Sequence, residues 1–239
     1  MLKLRVRDKI LFSEDGYFLL KLEKLTDIAV KPGQFFEIRV REDFEPFLSR
    51  PFSVFFSSGE EIWFLIKIVG KGTRILSELK NGDTLSLLGP LGNGFPEVES
   101  PVLVAGGSGI APLYFYATLR GFKSFSWGLP SLPSKEFLRL FEGLNIEIFT
   151  EDGSSGKKGL VTEGLKIGEG DILFACGPIP MIKALKEKVP HEQSFVSMES
   201  VMACGFGICF GCAIKKRNAP GYFRVCKDGP VFRLSDIDI

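Results

Sequence analysis

The sequence has almost no net charge, a single histidine and no apolar run long enough to cross a bilayer. Thirty Lys and Arg stand against 29 Asp and Glu, giving a net charge of +1 and a pI near 7.6. That balance offers no electrostatic footprint for nucleic acid or for an anionic membrane surface. The opening, MLKLRVRDKILF, is charged and alternating, and it lacks the apolar stretch of a secretory signal. No segment reaches the length of a membrane span. These absences predict a reduced, cytoplasmic setting in which cysteines stay free to hold metal. The one histidine, His191, follows Pro190 in a predicted loop. It is expected at the surface, so no acid–base set can be assembled around it. There is no internal repeat and no low-complexity tract. Hydrophobic residues make up 45% of the chain, with 23 Phe, which is ample for packed cores and excludes disorder.

What is present is concentrated near the C-terminus. Cys204, Cys209, Cys212 and Cys226 read C-x4-C-x2-C, then thirteen residues, then C. This is the plant-type spacing for a [2Fe–2S] cluster. Gly205, Gly207 and Gly211 lie between the first three cysteines, and glycine permits the tight backbone turns that a loop round an inorganic core needs. Backbone N–H groups exposed in this way can point at sulfur and tune its potential. A structural zinc site is the alternative, although zinc ribbons pair two C-x2-C knuckles and the fourth cysteine here stands alone. Disulfides fit least, since nothing marks the chain as secreted.

Upstream, about the first 95 residues alternate β-rich runs with Gly and Pro punctuation, which predicts an antiparallel barrel or sandwich. Strands are expected at Lys3–Phe12, Tyr17–Lys24, Gln34–Val40, Ser53–Ser57, Glu61–Ile68 and Thr84–Gly89, with a helix at Thr73–Lys80. The pattern changes near Pro96–Pro101. Apolar runs at 101–105, 124–127, 146–150 and 172–176 alternate with helical stretches at 112–120, 134–141 and 180–188, which predicts a parallel α/β sheet. The expected division is residues 1–97, 98–194 and 195–239, the last with few regular elements.

Several motifs carry chemistry on this frame. Gly106-Gly107-Ser108-Gly109 joins a buried strand to a helix, where backbone can approach a pyrophosphate. Pro112 takes the place of the third glycine of G-x-G-x-x-G, and such turns are also made for packing alone. Cys176-Gly177-Pro178 ends the strand at 172–175, at the sheet edge where ligands of open α/β folds bind. There Cys176 can abut a nicotinamide ring or serve as a small buried hydrophobe. Its distance from Cys204 in sequence keeps it out of the metal set. Arg50-Pro51-Phe52-Ser53 combines a guanidinium suited to pyrophosphate with a ring and a hydroxyl suited to a flavin. Gly70-Lys71-Gly72-Thr73 opens the 73–80 helix as a second phosphate cradle or an ordinary turn.

In this order, R-P-F-S, G-K-G-T, G-P-L-G-N-G-F (Gly89–Phe95), G-G-S-G-I-A-P and C-G-P, the chain resembles the ferredoxin–NADP reductase superfamily. With Met202–Cys212 and Arg224–Phe232 added, it is similar to the electron-transfer subunits of NAD-dependent dihydroorotate dehydrogenases, over essentially its whole length. The resemblance implies an antiparallel FAD-binding barrel, an α/β nicotinamide-binding domain and a small [2Fe–2S] module. It implies that Arg50, Pro51, Phe52, Ser53, Ile66, Lys67, Gly70, Lys71, Gly72 and Thr73 hold FAD. Gly107, Gly109, Cys176 and Gly177 would meet NADH, Ser53 and Cys176 would act at the reacting rings, and the four cysteines would ligate the cluster. Electrons would pass from NADH through FAD and singly through the cluster to an FMN-containing catalytic subunit of pyrimidine biosynthesis, in a heterotetramer of two copies of each. The superfamily's usual arginine is missing from Ser126-Trp127-Gly128-Leu129, which disfavours NADP. The alternatives are a related reductase subunit serving ferredoxin, a sulfhydrogenase or glutamate synthase, a stand-alone diaphorase, and a zinc-stapled nucleotide-binding module.

Overall fold

The computed structural model describes every residue except 25, 27 and 42–44. Seven strands form the first sheet: β1 (Leu2–Phe12), β2 (Tyr17–Glu23), β3 (Phe35–Arg39), β4 (Arg50–Ser53), β5 (Phe56–Ser57), β6 (Glu61–Lys67) and β7 (Thr84–Leu91). Their order is β4-β3-β7-β1-β2-β6-β5, and all their pairings are antiparallel. Alternation sets the faces: in β1, Leu4 and Val6 are buried while Arg5 and Arg7 are exposed. The sheet curls until β4 packs against β6. Helix α1 (Lys71–Ser77) joins β6 to β7.

The single strand expected at 53–57 is two. Val54 N–H bonds to Gln34 O at 3.1 Å and Phe55 N–H to Trp63 O at 2.9 Å, so the chain changes partner from β3 to β6 at this corner. Arg50 through Ser53 thereby form a strand of their own.

The second sheet has the order β11-β10-β9-β8-β12-β13-β16. Its strands are β8 (Val102–Gly106), β9 (Ser124–Leu129), β10 (Ile146–Thr150), β11 (Lys157–Lys158), β12 (Leu173–Cys176), β13 (Ser194–Ser197) and β16 (Val231–Arg233). All pair in parallel except β16, which runs antiparallel to β13. From β8 the chain winds outward through β9 to β10, then returns to the other side of β8 with β12. The β8/β12 boundary is therefore the topological switch point, where open α/β sheets bind ligands at their carboxyl ends. The helices are α2 (Ile110–Leu119), α3 (Lys135–Leu138) and α4 (Ile179–Lys186).

Helix α2 is apolar round its circumference because Ile110 to Ala117 are buried or half-buried, and only Thr118 and Leu119 at its end are exposed. It packs on β8 and β12 of its own sheet and on β5 of the first. Tyr114 stacks on Phe55 at 4.2 Å with parallel planes, and Phe115 enters the core of the first sheet. Tyr17 stacks on Phe137 at 4.9 Å, and Asp15 accepts from Ser134 N at 2.8 Å and Ser134 Oγ at 2.6 Å. Each buried ring stabilises the contact by about 1.5–3 kcal/mol, enough to fix the two sheets relative to one another.

After β13 the chain carries more regular structure than expected: β14 (Ala213–Lys216), β15 (Tyr222–Arg224), α5 (Val225–Asp228) and β17 (Ile237–Asp238). Strands β15, β14 and β17 form a third, small sheet. Residues 231–233 return to the second sheet because Val231 and Phe232 are buried there. Asn93 holds this return, accepting from Val231 N at 3.0 Å and donating to Val231 O at 2.9 Å. That contact gives the Gly89–Phe95 segment and the Asp228–Phe232 tail a shared structural reason.

Candidate functional site

Two clefts meet between the sheets. The first, of about 250 Å³, is lined by Pro51, Phe52 and Ser53 of β4, by Lys67 and Thr73, and by Ser197, Glu199 and Met202. Arg50 sits at its edge, where its guanidinium lies over the start of α1: a Cβ on Gly72 would stand 3.3 Å from Arg50 Nε. The guanidinium donates to Leu48 O and, at 3.3 Å, to Ser49 O. Thr73 Oγ1 accepts from Val69 N at 2.9 Å and Gly70 N at 3.1 Å, which shapes the turn into α1. A Cβ on Gly70 would meet nothing within 4 Å, so this backbone faces open space. Lys71 extends outward to Glu45. Ile66 is buried in the core of the first sheet, behind the cleft wall.

The second cleft, of about 370 Å³, lies at the switch point. Gly106, Gly107 and Ser108 line it with Gly128, Glu151, Thr162 and Pro178. Gly107 adopts φ +52 with open space beside it, and Trp127 Nε1 fixes its carbonyl at 3.0 Å. Gly109 is different: a Cβ there would stand 2.2 Å from Cys176 O, so this glycine lets α2 approach β12. Gly177 serves the same close packing, against Gly106 and Met181. Cys176 is buried and lines neither cleft. Burial pushes its thiol well up, with Glu199 adding to the effect and a Ser197 hydrogen bond opposing it.

Lys67, Ser108 and Glu199 border both clefts, so occupants of the two would meet there. Glu199 opens into the clefts, yet protein atoms crowd round it, and this burial raises its carboxyl above the ordinary value. Sequence reading found Lys67 but missed Ser108, Ser197 and Glu199. Only Ser108 had a visible signal, since it lies within the glycine turn. Glu199 and Ser197 reach the clefts through the crossover to β13, which no local pattern reports.

The cysteine loop runs from the end of β13 to β14 without regular structure. Gly205 (φ +73), Gly207 (φ +88) and Phe210 (φ +58) take left-handed backbone. Burial alone raises the Cys204 thiol. Hydrogen bonds from the backbone N–H groups of Cys209, Phe206 and Ile208, with the Cys209 side chain, overcome this and lower it to about 6. Cys212 Sγ lies 3.3 Å from Cys226 Sγ and accepts from Cys226 N at 3.4 Å. Burial and the Cys212 sulfur push the Cys226 thiol up to about 12. Two sulfurs this close share a proton unless a cation lies between them. The sulfurs thus form two pairs, and among the described residues no three metal-ligating side chains converge on one point. Backbone N–H groups aimed at sulfur suit thiolates turned toward a metal group.

Charged residues flank this loop, Lys227 among them, packed against Gly207. Arg224 donates to Gly207 O at 3.1 Å, pairs with both Asp228 oxygens at 3.0 Å and lies over the Phe210 ring at 5.2 Å. On the opposite side Glu37 is 2% exposed, and neither carboxylate oxygen has a partner. Burial and the Cys204 charge raise it to about 7 against the pull of Arg50. His191 is half-buried. Its Nε2 lies 2.6 Å from Lys186 O and its Nδ1 2.8 Å from Arg217 Nη1, and it lines neither of the two clefts.

Residues 199–238 match the iron–sulfur cluster binding domain of dihydroorotate dehydrogenase B. The dihydroorotate dehydrogenase B (NAD+) electron transfer subunit of Caldanaerobacter subterraneus subsp. tengcongensis is 42% identical over 215 residues, covering 86% of each chain. The corresponding subunit of Clostridium acetobutylicum is 39% identical over 238 residues, covering 94% of this chain and 92% of its own. Among solved structures, the NADH-dependent reduced ferredoxin–NADP oxidoreductase superposes with a TM-score of 0.81 at 29% identity, over 100% of this chain and 90% of that one. A ferredoxin NADP+ reductase from Neisseria gonorrhoeae, with FAD and NADP bound, shares the fold at a TM-score of 0.64 and 17% identity, over 82% and 97%. No helix among the described residues is long and apolar enough to cross a membrane. The fold, the paired clefts and these relatives agree: the chain belongs to the family of dihydroorotate dehydrogenase B electron transfer subunits.

Proposed function

We propose that this chain oxidises NADH and delivers the electrons one at a time to an FMN-containing dihydroorotate dehydrogenase catalytic subunit. The observation that carries the reading is the meeting of the two clefts at Lys67, Ser108 and Glu199, with Met202, two residues before Cys204, on the wall of the first. Bound there, FAD would supply the change from two-electron to one-electron chemistry, and a [2Fe–2S] cluster the single-electron relay.

The protein's own part is to bind, orient and tune. Arg50, with Gly70, Gly72 and Thr73 at the start of α1, would hold the flavin pyrophosphate. Pro51, Phe52 and Ser53, which line the first cleft, would lie against the flavin ring, and the Ser53 hydroxyl could hydrogen-bond it. Lys67 stands where the two occupants meet. Gly107 receives the nicotinamide nucleotide's phosphates, while Gly109, Cys176 and Gly177 hold α2 and α4 close enough to form that floor. The ligand pairs are Cys204 with Cys209 and Cys212 with Cys226. Two pairs favour two irons over one tetrahedral zinc ion.

Glu151 supports NADH over NADPH. It follows β10 and lines the nucleotide cleft, and no arginine lines that cleft among the described residues. A carboxylate suits a ribose hydroxyl and repels a 2′-phosphate. The functional division follows residues 1–97 for FAD, 98–194 for NADH and 195–239 for the cluster. The last unit is built onto the second sheet through β13 and β16 rather than standing apart. The assembly is a cytoplasmic heterotetramer of two copies of each subunit.

The test is reconstitution with the catalytic subunit. NADH-dependent orotate reduction that requires this chain supports the proposal. The 29% identity to a ferredoxin–NADP oxidoreductase gives the second reading. It gains if NADPH and ferredoxin support turnover while orotate is not reduced.

A further inference from the structure

Glu37 lies between the flavin cleft and the cysteine loop, and its place follows from strand alternation. On β3, Phe36 and Ile38 enter the core of the first sheet. Phe35 and Glu37 face the other way, and Phe35 joins the core beneath the cysteine module. Opposite Glu37 on β4 stands Pro51, a wall residue of the flavin cleft. On its other side the Cys204–Gly205 turn lies directly on the carboxyl group. A Cβ on Gly205 would stand 2.5 Å from Glu37 Cγ and 2.9 Å from Glu37 Oε1.

Burying a carboxyl with neither oxygen hydrogen-bonded is costly, and an apolar residue would fill the same space without that cost. Such an exception calls for a physical reason. A negative charge held against the loop disfavours adding an electron to whatever group the loop holds. Water is largely excluded here, so the charge is weakly screened.

We propose that Glu37 is a positioning residue that seats the Cys204–Gly205 turn and lowers the one-electron reduction potential of the group bound by the four cysteines. This rests on the reading of those cysteines as iron–sulfur ligands. A lower potential at this point keeps the electron from resting on the cluster and favours its onward transfer.

The experiment is potentiometric titration of the full chain with its catalytic subunit, followed by electron paramagnetic resonance, at pH 9, far above the ordinary carboxylate range. Wild type, Glu37→Gln and Glu37→Asp are compared after iron, sulfide and flavin assay. Glu37→Gln should retain flavin and iron and favour the reduced cluster at least tenfold, a rise of about 59 mV for one electron. Glu37→Asp keeps the charge but withdraws it by one methylene, so it should shift the potential in the same direction by less. An unchanged potential in iron-loaded Glu37→Gln overturns the proposal. If Glu37→Gln does not load iron, Glu37→Asp decides: a small positive shift supports the proposal and none overturns it. Wild-type protein without iron or sulfide would instead refute the reading of the cysteines.

Discussion

Glu37 also makes a statement about stability. Its carboxyl rises from an ordinary value of 4.5 to about 7, chiefly through burial. The folded chain therefore holds a proton that the unfolded chain releases between those values. Stability contributed by the protonated form is fully present below pH 4.5 and is lost as pH rises towards 7, by about 3 kcal/mol at most. Glu37→Gln cannot titrate, so its urea midpoint should gain on wild type across this window. Parallel curves for the two proteins would contradict the assignment. Two other side chains can be tested singly. Cys209→Ser should remove the iron–sulfur absorption while FAD stays bound, and loss of FAD as well would mean that the units are not separable. Glu151→Arg should move the ratio of kcat/KM for NADPH over NADH upward by about tenfold or more, the effect of about 1.4 kcal/mol. No change would remove Glu151 from nucleotide selection. Little of this was legible residue by residue. The cysteines announced themselves by spacing. Glu37 and Glu199 could not, because one matters through a loop far along the chain and the other through a sheet crossover.

At the scale of elements, the periodic signals were faithful where one face of a strand or helix decides its burial. Strand β10 lies where its apolar run places it, and β1 and β6 differ from expectation by a residue at an end. The misses have physical causes. The expected 53–57 strand breaks because the curled sheet hands the chain from β3 to β6 at Val54 and Phe55. Strand β16 went unseen because three residues carry no period, and its reason is the exposed edge of β13. The approach of α2 to β12 gives a sharp test. Gly109→Ala puts a methyl group 2.2 Å from a backbone oxygen, and backbone cannot yield as a side chain can. The mutant should lose about 1–3 kcal/mol of stability and weaken NADH binding, read by denaturation and by titration of NADH. An alanine variant with unchanged NADH affinity would mean that this packing does not shape the cleft.

For the whole molecule, the fold brings three separate parts of the sequence to one place. The corner at 53–56 turns β4 toward the second sheet, and the buried α2 locks the two sheets together. The return of residues 231–233 fixes the cysteine module against both. That closure brings the two clefts and the cysteine loop together. The order of motifs along the chain suggested such a path, but only the packed structure supplies the shared residues that join one part to the next. The most direct measurement is anaerobic rapid mixing of NADH with the reconstituted complex, followed at flavin and iron–sulfur wavelengths and by orotate consumption. The account predicts that both chromophores of this chain bleach before orotate is consumed, and that Cys209→Ser stops the reaction after flavin bleaching. Orotate reduction by NADH at the wild-type rate in the Cys209→Ser complex would contradict it.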